Sequence, residues 1–248
     1  MNRSAALRLG SAAATAASCA FFPGRARAQG VSVPLRIVGA RNDSGAVLYY
    51  AQDLGMFTDA GLDAHPEALN ATATMVAAVL SGDVTIAGIT IPAFALARER
   101  GLPLAIIAPT AIYSSAAPTA GIFVLKDSPY KKAADLNGKT LTTLDISNMG
   151  YYGAKAWIDR NGGDSKTIKW FEMPESAALA AMQAGRVDAA EVSEPALDIA
   201  IHGPDARLLA PCYDAIGDKF LIGGYFASAA FAKAHPDVVQ RFCDVILR

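Results

Sequence analysis

The chain has 248 residues, a formal net charge of −1, 52% apolar residues and 18% charged ones. That is enough apolar material for one large domain or two small ones, with no excess of basic charge to draw it to nucleic acid. The first 28 residues stand apart. Arg3 and Arg8 lead into the weakly apolar stretch LGSAAATAASCAFF, and Ala26, Arg27 and Ala28 follow. A basic start, a short apolar middle and an A-x-A end read as an export signal. The apolar stretch is too short and alanine-rich for a membrane span. No twin-arginine pair is present, so the general secretory route and a periplasmic location are expected, with lipid anchoring at Cys19 as a minor alternative. Cleavage after Ala28 would take four arginines and no acid, leaving 18 basic and 23 acidic side chains, a net charge of −5. Cys212 and Cys243 remain and read as two apolar thiols, not a disulfide framework.

Beyond the signal, strand and helix patterns alternate. PLRIVGA is a short strand. Val47, Leu48, Ala51 and Leu54 then share one helical face, with Gly55 as a stop. LDAHPEAL is an extended piece broken by Pro66. Met75, Val76, Val79 and Leu80 form another helical face, closed by Gly82. VTIAGI is a strand, Pro92 opens a helix ending near Gly101, and LPLAIIAPTAIY is one long strand. AGIFVLK follows, then the turn-rich SPYKKAADLNGK, the strand TLTTL, and a helix over SNMGYYGAKAWIDRNGG with Ser147 as its N-cap. TIKWFEM is a strand and Pro174 starts a helix. VDAAEV is a strand before Pro195. ARLLAPCY and FLIGGYFA are both extended. In the tail, Val238, Val239, Phe242, Val245 and Ile246 mark an amphipathic helix. Such alternation implies α/β units with mostly parallel sheets.

One motif is written twice. With an offset of 103 residues, Ala77, Ala78, Gly82, Val84, Ala87, Pro92 and Ala93 meet the same residue types at Ala180, Ala181, Gly185, Val187, Ala190, Pro195 and Ala196. Helix, glycine, strand, polar loop and Pro-started helix occur in each copy, which implies two lobes facing each other. Ligands bind where strands end and helices begin in open α/β sheets, and helix starts present free N–H groups. Thr90 lies at that point of the first copy and Ser193 and Glu194 at that of the second. Glu194, at a strand end before Pro195, is expected to face the cleft and accept hydrogen bonds from ligand N–H groups. Arg41 is its opposite, a partner for a sulfonate or carboxylate.

The stretches YYAQDLGMFTDAGLD, LSGDVTIAGITIPAFALARERGLPLAII, KDSPYKKAADLNGKTL and ALAAMQAGRVDAAEVSEPAL resemble the periplasmic substrate-binding proteins of nitrate/sulfonate/taurine-type ABC importers. Their superfamily includes binders of thiamine-precursor pyrimidines. The resemblance implies an α/β, two-lobe periplasmic-binding-protein-like fold with two crossover strands (type II), the crossovers lying near Ala108–Phe123 and Ala215–Phe226. Lobe I would comprise residues 29–115 and 225–248, and lobe II residues 116–224. Such proteins usually continue past the second crossover, so the stop at Arg248, inside an amphipathic helix, reads as an incomplete first lobe.

The family's ligand loops, carried over by order, fall on Asn42, Asp43 and Ser44, on Asn70 and Thr72, on Thr90, on Ser114, on Asp145, Ser147 and Asn148, on Ser193 and Glu194, and on Tyr225. The implied function is capture of a small polar or anionic organic ligand, of the sulfonate, carboxylate or aminopyrimidine class, for delivery to a membrane permease. The protein would act as a monomer, without nucleic acid, cofactor or metal. The alternatives are an enzyme on the same fold acting on a pyrimidine or small aromatic acid, and a ligand-presenting sensor. Neither a G-x-S-x-G elbow nor a cysteine cluster is present, and His65, His202 and His235 are not in metal-ligand spacing. The NGKT at Asn137–Thr140 lacks the P-loop's first glycine, since residue 133 is alanine, and reads as an Asn-Gly turn.

Overall fold

The computed structural model describes residues 33–248; the expected export signal and Cys19 lie outside them. In chain order the elements are β1 (Val33–Gly39), α1 (Ala46–Asp53), α2 (Met56–Asp59), β2 (Leu62–Ala68), α3 (Thr72–Ser81), β3 (Ile86–Thr90), α4 (Ile91–Glu99), β4 (Leu104–Pro109) and β5 (Ile112–Ser114). Then come β6 (Ala120–Leu125), β7 (Thr140–Thr143), α5 (Met149–Arg160), β8 (Lys169–Glu172), α6 (Glu175–Gln183), β9 (Ala189–Ser193), α7 (Ala196–His202) and β10 (Ala206–Ala210). The chain ends in β11 (Lys219–Leu221), β12 (Gly223–Ser228), α8 (Ala229–Ala234) and α9 (Pro236–Ile246).

The strands form two five-stranded sheets of the same plan. The first runs β2-β1-β3-β12-β4; the second, read from its other edge, runs β8-β7-β9-β6-β10. In each, four strands share one direction and one is antiparallel to both its neighbours: β12 in the first, β6 in the second. The sheets are mostly parallel, as expected, but each is mixed through one reversed strand. The reason is the chain's path: β6 and β12 are the strands that arrive from the other lobe, so they enter against the grain of the βα units. Both passages are there. After β4 the chain leaves through β5, and after β10 it returns through β11, and these two short strands pair antiparallel with Tyr113 opposite Phe220.

The doubled motif occupies equivalent places. It is α3-β3-α4 in one lobe and α6-β9-α7 in the other, with β3 and β9 central in their sheets. Gly82 and Gly185 each carry a left-handed φ, 86° and 66°, which a residue with a Cβ adopts only at a cost; each turns a helix into the following strand.

Helices cover both faces of both sheets, so each lobe has two apolar layers. In the first lobe Leu35, Ile37, Leu48, Phe57 and Phe242 pack on one side and Val38, Val79, Ile89 and Phe226 on the other. In the second, Ile122, Leu141 and Ile158 face one way and Phe123, Met182 and Val192 the other.

Local departures have local causes. LDAHPEAL is an unbroken strand through Pro66, because β2 is an edge strand and the missing N–H costs no ladder bond there. The long strand expected over 102–113 splits at Thr110 and Ala111, and the one over 220–227 at Ile222, where the chain leaves one sheet for the crossover ribbon. The N-cap of α5 is Asn148, whose Oδ1 accepts from the Tyr151 N–H at 2.8 Å, not Ser147. Gly138 takes the left-handed turn expected of Asn-Gly before β7.

Candidate functional site

The carboxyl ends of β1, β3, β7 and β9 converge between the lobes. Two small connected cavities lie there, about 80 Å³ and 50 Å³, sharing Asn42, Ser44, Thr90, Leu144, Asn148 and Ile222. We treat them as one inner chamber. Outside it lies a wider antechamber of about 410 Å³, with Arg41, Asn42 and Asn70 on one side and Leu144, Pro174, Glu175, Leu179 and Ile199 on the other. An open groove at the rim joins Tyr50 and Asp53 of α1 to Pro195 and Asp198.

The lobes are closed on each other. Away from the crossovers, the Asp43 N–H donates to the Glu194 carbonyl at 3.1 Å, and the Thr72 N–H, at the start of α3, donates to Asp145 Oδ2 at 3.3 Å. Asp145 is a carboxylate of one lobe seated on a helix N-terminus of the other, where the helix dipole favours negative charge. Burial pushes its pKa up, but the Ser147 hydroxyl and N–H and the Thr72 N–H outweigh this and hold it below the ordinary range. The charged form is therefore the one that ties the lobes, and the tie is lost as pH falls through that lowered pKa. Asp145→Asn is expected to weaken closure by about 0.3–1 kcal/mol. Small-angle scattering of the ligand-free protein would then show a larger mean radius than the wild type; an unchanged radius would mean that the contact does not hold the lobes.

The structure places the residues singled out from sequence as follows. Asn42, Ser44, Asn70, Thr72, Thr90, Asp145, Asn148 and Tyr225 line the inner chamber, as do Asp43 and Ser193 in its smaller part. Several have their polar atoms committed elsewhere. Asn42 Oδ1 accepts from the Ser44 hydroxyl and the Gly45 N–H, Asn148 caps α5, and the Ser193 N–H and hydroxyl both donate to Glu175 Oε1, at 2.9 and 2.8 Å. Two have buried oxygens that are uncommitted: among the described residues Thr90 Oγ1 and the Tyr225 hydroxyl have no hydrogen-bond partner. Tyr225 is fully buried, its ring held edge-on by Phe242 of α9 at 5.5 Å, and burial drives its pKa upward, so the phenol stays protonated.

Three expectations are corrected. Ser114 is in the crossover ribbon, paired with Lys219, outside the chamber. Ser147 donates to Asp145 and does not line it. Glu194 does not point inward: its Oε2 accepts from the Asp198 N–H at 3.0 Å, capping the first turn of α7, and it lines only the rim groove. Glu194→Ala is therefore expected to cost about 0.5–2 kcal/mol of stability, as for a lost helix cap, measured in urea, while leaving ligand affinity within about threefold; a larger loss of affinity would return Glu194 to the site.

Beside Asp43 and Asp145 the chamber holds two acids that the sequence reading did not select, Glu175 and Glu191. Strand alternation sends Glu191 and Ser193 to one face of β9. Glu191 is 2% exposed; its Oε2 accepts from the Thr143 hydroxyl at 2.7 Å. Among the described residues no donor reaches its Oε1. Burial first, then the neighbouring Glu175, push its pKa up to about 8, against the Thr143 bond. Burial also raises that of Glu175, against its Ser193 bonds. A carboxyl neutral in the fold and ionised in the unfolded chain stabilises the protein fully below about pH 4.5, and loses that contribution as pH rises towards 8. The melting temperature is thus expected to fall between pH 5 and pH 8. Glu191→Gln should flatten the fall; a slope unchanged in that variant would assign the effect elsewhere.

Among the described residues no lysine, arginine or histidine lines the chamber. Arg41 lies at the antechamber and rim, its guanidinium 5.3 Å from the centre of the Tyr49 ring. Among the described residues no His/Cys/Asp/Glu group has metal-binding geometry.

Solved structures share this fold. The aliphatic sulphonate binding protein SsuA of Escherichia coli superposes with a TM-score of 0.68 at 20% identity, over 86% of this chain and 71% of that one. The alkanesulfonate-binding SsuA of Xanthomonas axonopodis pv. citri, solved with MOPS, gives 0.71 at 23% over 86% and 72%. The nitrate-binding protein NrtA of Synechocystis gives 0.70 at 13% over 87% and 60%. Among curated proteins none matches significantly. The family model described as NMT1/THI5 like matches residues 42–248, which take in every strand but β1, both crossovers and every residue of the chamber except Gly39 and Ala40: the chain belongs to the NMT1/THI5-like family.

Proposed function

We propose that the protein is the extracytoplasmic solute-binding component of an ABC importer, which captures a small organic ligand between its lobes and hands it to a membrane permease. Lobe I would be residues 29–115 with 225–248 and lobe II residues 116–224. The observation that carries the reading is the buried chamber at the meeting of two equivalent strand ends, lined by Thr90 and Tyr225, whose hydroxyl oxygens are buried and, among the described residues, unpartnered. Buried polar groups without partners are rare and costly, and a ligand oxygen or nitrogen would satisfy both. Closure by hinge motion at the crossovers would expel water and strengthen each polar contact. The rim groove, built from α1 and the start of α7, would give the permease a surface that exists only when the lobes have met.

An enzyme on this fold that worked by covalent catalysis would need a nucleophile at the chamber. Cys212, behind Glu191, is fully buried and its thiol pKa is pushed well up by burial and by Glu191, so a thiolate is disfavoured. Binding, not turnover, is the reading the chamber supports best.

The test is a thermal-shift screen of small sulfonates, carboxylates, amines, amidines and aminopyrimidines, because a ligand specific for the folded state raises its stability. A ligand so found should lose about three- to tenfold in affinity with Tyr225→Phe or Thr90→Val, the equivalent of about 1 kcal/mol for one hydrogen bond, and should compact the protein in scattering. A ligand that binds with affinity unchanged in both variants would place the site elsewhere.

A further inference from the structure

The head group that the chamber accepts can be argued from its charge. Three acidic residues, Asp43, Glu175 and Glu191, line its smaller part and Asp145 its larger part, and among the described residues no basic one lines either. A sulfonate, nitrate or carboxylate placed there would meet carboxyl oxygens and no cation. Desolvating an anion without a partner is among the costliest steps in binding. A nitrogen group with several N–H donors meets the opposite situation: Glu191 Oε1 accepts nothing from the described residues, and the hydroxyls of Thr90 and Tyr225 can accept as well as donate. These hydroxyls matter independently of the acids. Tyr225, one of the residues lining the same chamber, is fully buried, and among the described residues its hydroxyl has no partner. The antechamber outside offers an apolar body its place, through Phe123, Leu144, Leu179 and Ile199, and Arg41, the cation that lines it among the described residues, does not line the inner chamber.

We propose that the inner chamber takes the cationic nitrogen head, an ammonium or amidinium, of a small organic ligand with an apolar body, and that Glu191 and Glu175 select that head over an anionic one. This rests on the binding reading above and narrows its ligand class. The groups facing Glu191 are Glu175 at the start of α6, Cys212 and Tyr213 in the turn after β10, Thr143 at the end of β7, and Asp43 across the chamber; none carries positive charge. A bound cation would favour the ionised carboxylate, so binding would release the proton that Glu191 holds below about pH 8. Affinity would then rise with pH by at most roughly tenfold per unit and level off above 8.

The experiment compares three probes with one body and different heads: benzamidine, benzoate and benzenesulfonate, by calorimetry on the wild type at pH 6, 7 and 8. The expected result is binding of benzamidine at least tenfold tighter than either anion, with affinity rising over that range. In Glu191→Gln, a near-isosteric change, the preference should fall below threefold and the pH slope vanish; Glu175→Gln repeats the test should the first variant not fold. Tighter binding of either anion, no binding of benzamidine, or a preference unchanged in both variants overturns the proposal. An anion that binds and is weakened by Tyr225→Phe would overturn only the choice of head group and leave the binding-protein reading standing. No shift with any compound of the wider screen would instead remove the reading beneath it.

Discussion

Phe242→Ala is expected to destabilise the protein by about 3–5 kcal/mol, the range for removing a buried aromatic ring. The ring is fully buried. It lies parallel to Phe57 with centroids 6.0 Å apart, and edge-on to Tyr225 at 5.5 Å. Its neighbours in the same layer come from β1, α1, β2 and α9 itself, so collapse around the void would have to move several elements at once. Urea unfolding should show a lower midpoint at an unchanged slope, since the native surface is not altered. A loss under about 1 kcal/mol would mean that α9 contributes little to the first lobe. The same substitution should also reach the chamber. Phe242 backs the ring of Tyr225, a residue that lines the cavity, so a variant kept folded at low temperature should bind ligand more weakly than Phe242→Leu, which keeps most of the volume.

How far sequence could lead is visible in those same elements. The amphipathic spacing of Val238, Phe242, Val245 and Ile246 was enough to find α9 and its buried face, because helix periodicity is a local property. The doubled motif was enough to find two lobes, because each copy carries its own glycine stop and its own strand. Strand direction was not legible. Whether β6 and β12 run with or against their neighbours depends on which lobe the chain comes from, and no residue inside either strand states that. Within the site, Thr90 and Tyr225 were reachable from their place at strand ends and crossovers. The acids were legible in part: Asp43 and Asp145 line the chamber and Glu194 does not. Glu194 was favoured for its position before Pro195, yet it follows the last residue of β9 and turns to the α7 N–H groups. Glu191 had a signal of its own, a single carboxylate in the middle of the small apolar run Ala-Ala-Glu-Val, where a charge is costly unless the position serves another purpose. Glu175 had none: it reaches Ser193 from a helix start 18 residues earlier, a meeting made only by the packing of α6 on β9.

The second large effect is expected at Gly150, in the first turn of α5. A Cβ built there would fall 2.1 Å from Glu191 Oε1 and 2.3 Å from its carboxyl carbon and Oε2. The helix therefore comes close enough to wall in the buried carboxyl, and only the absence of a side chain allows it. Alanine would ordinarily favour a helix by up to about 1 kcal/mol over glycine. Here the carboxyl has to leave its seat against Thr143, or α5 has to back away, and overpacking of this kind costs about 1–3 kcal/mol. We expect Gly150→Ala to destabilise the fold by about 1–2 kcal/mol on balance and to weaken ligand binding by more than tenfold, because the displaced carboxyl has the chamber as its nearest free space. The double variant Gly150→Ala with Glu191→Ala separates this from a general disturbance of α5. Removing the carboxyl removes the clash, so the two changes should be strongly non-additive in stability, the double variant losing less than the sum of the singles by 1 kcal/mol or more. Additive losses would mean that Gly150 and Glu191 do not press on each other, and that the wall of the chamber is not where this packing puts it.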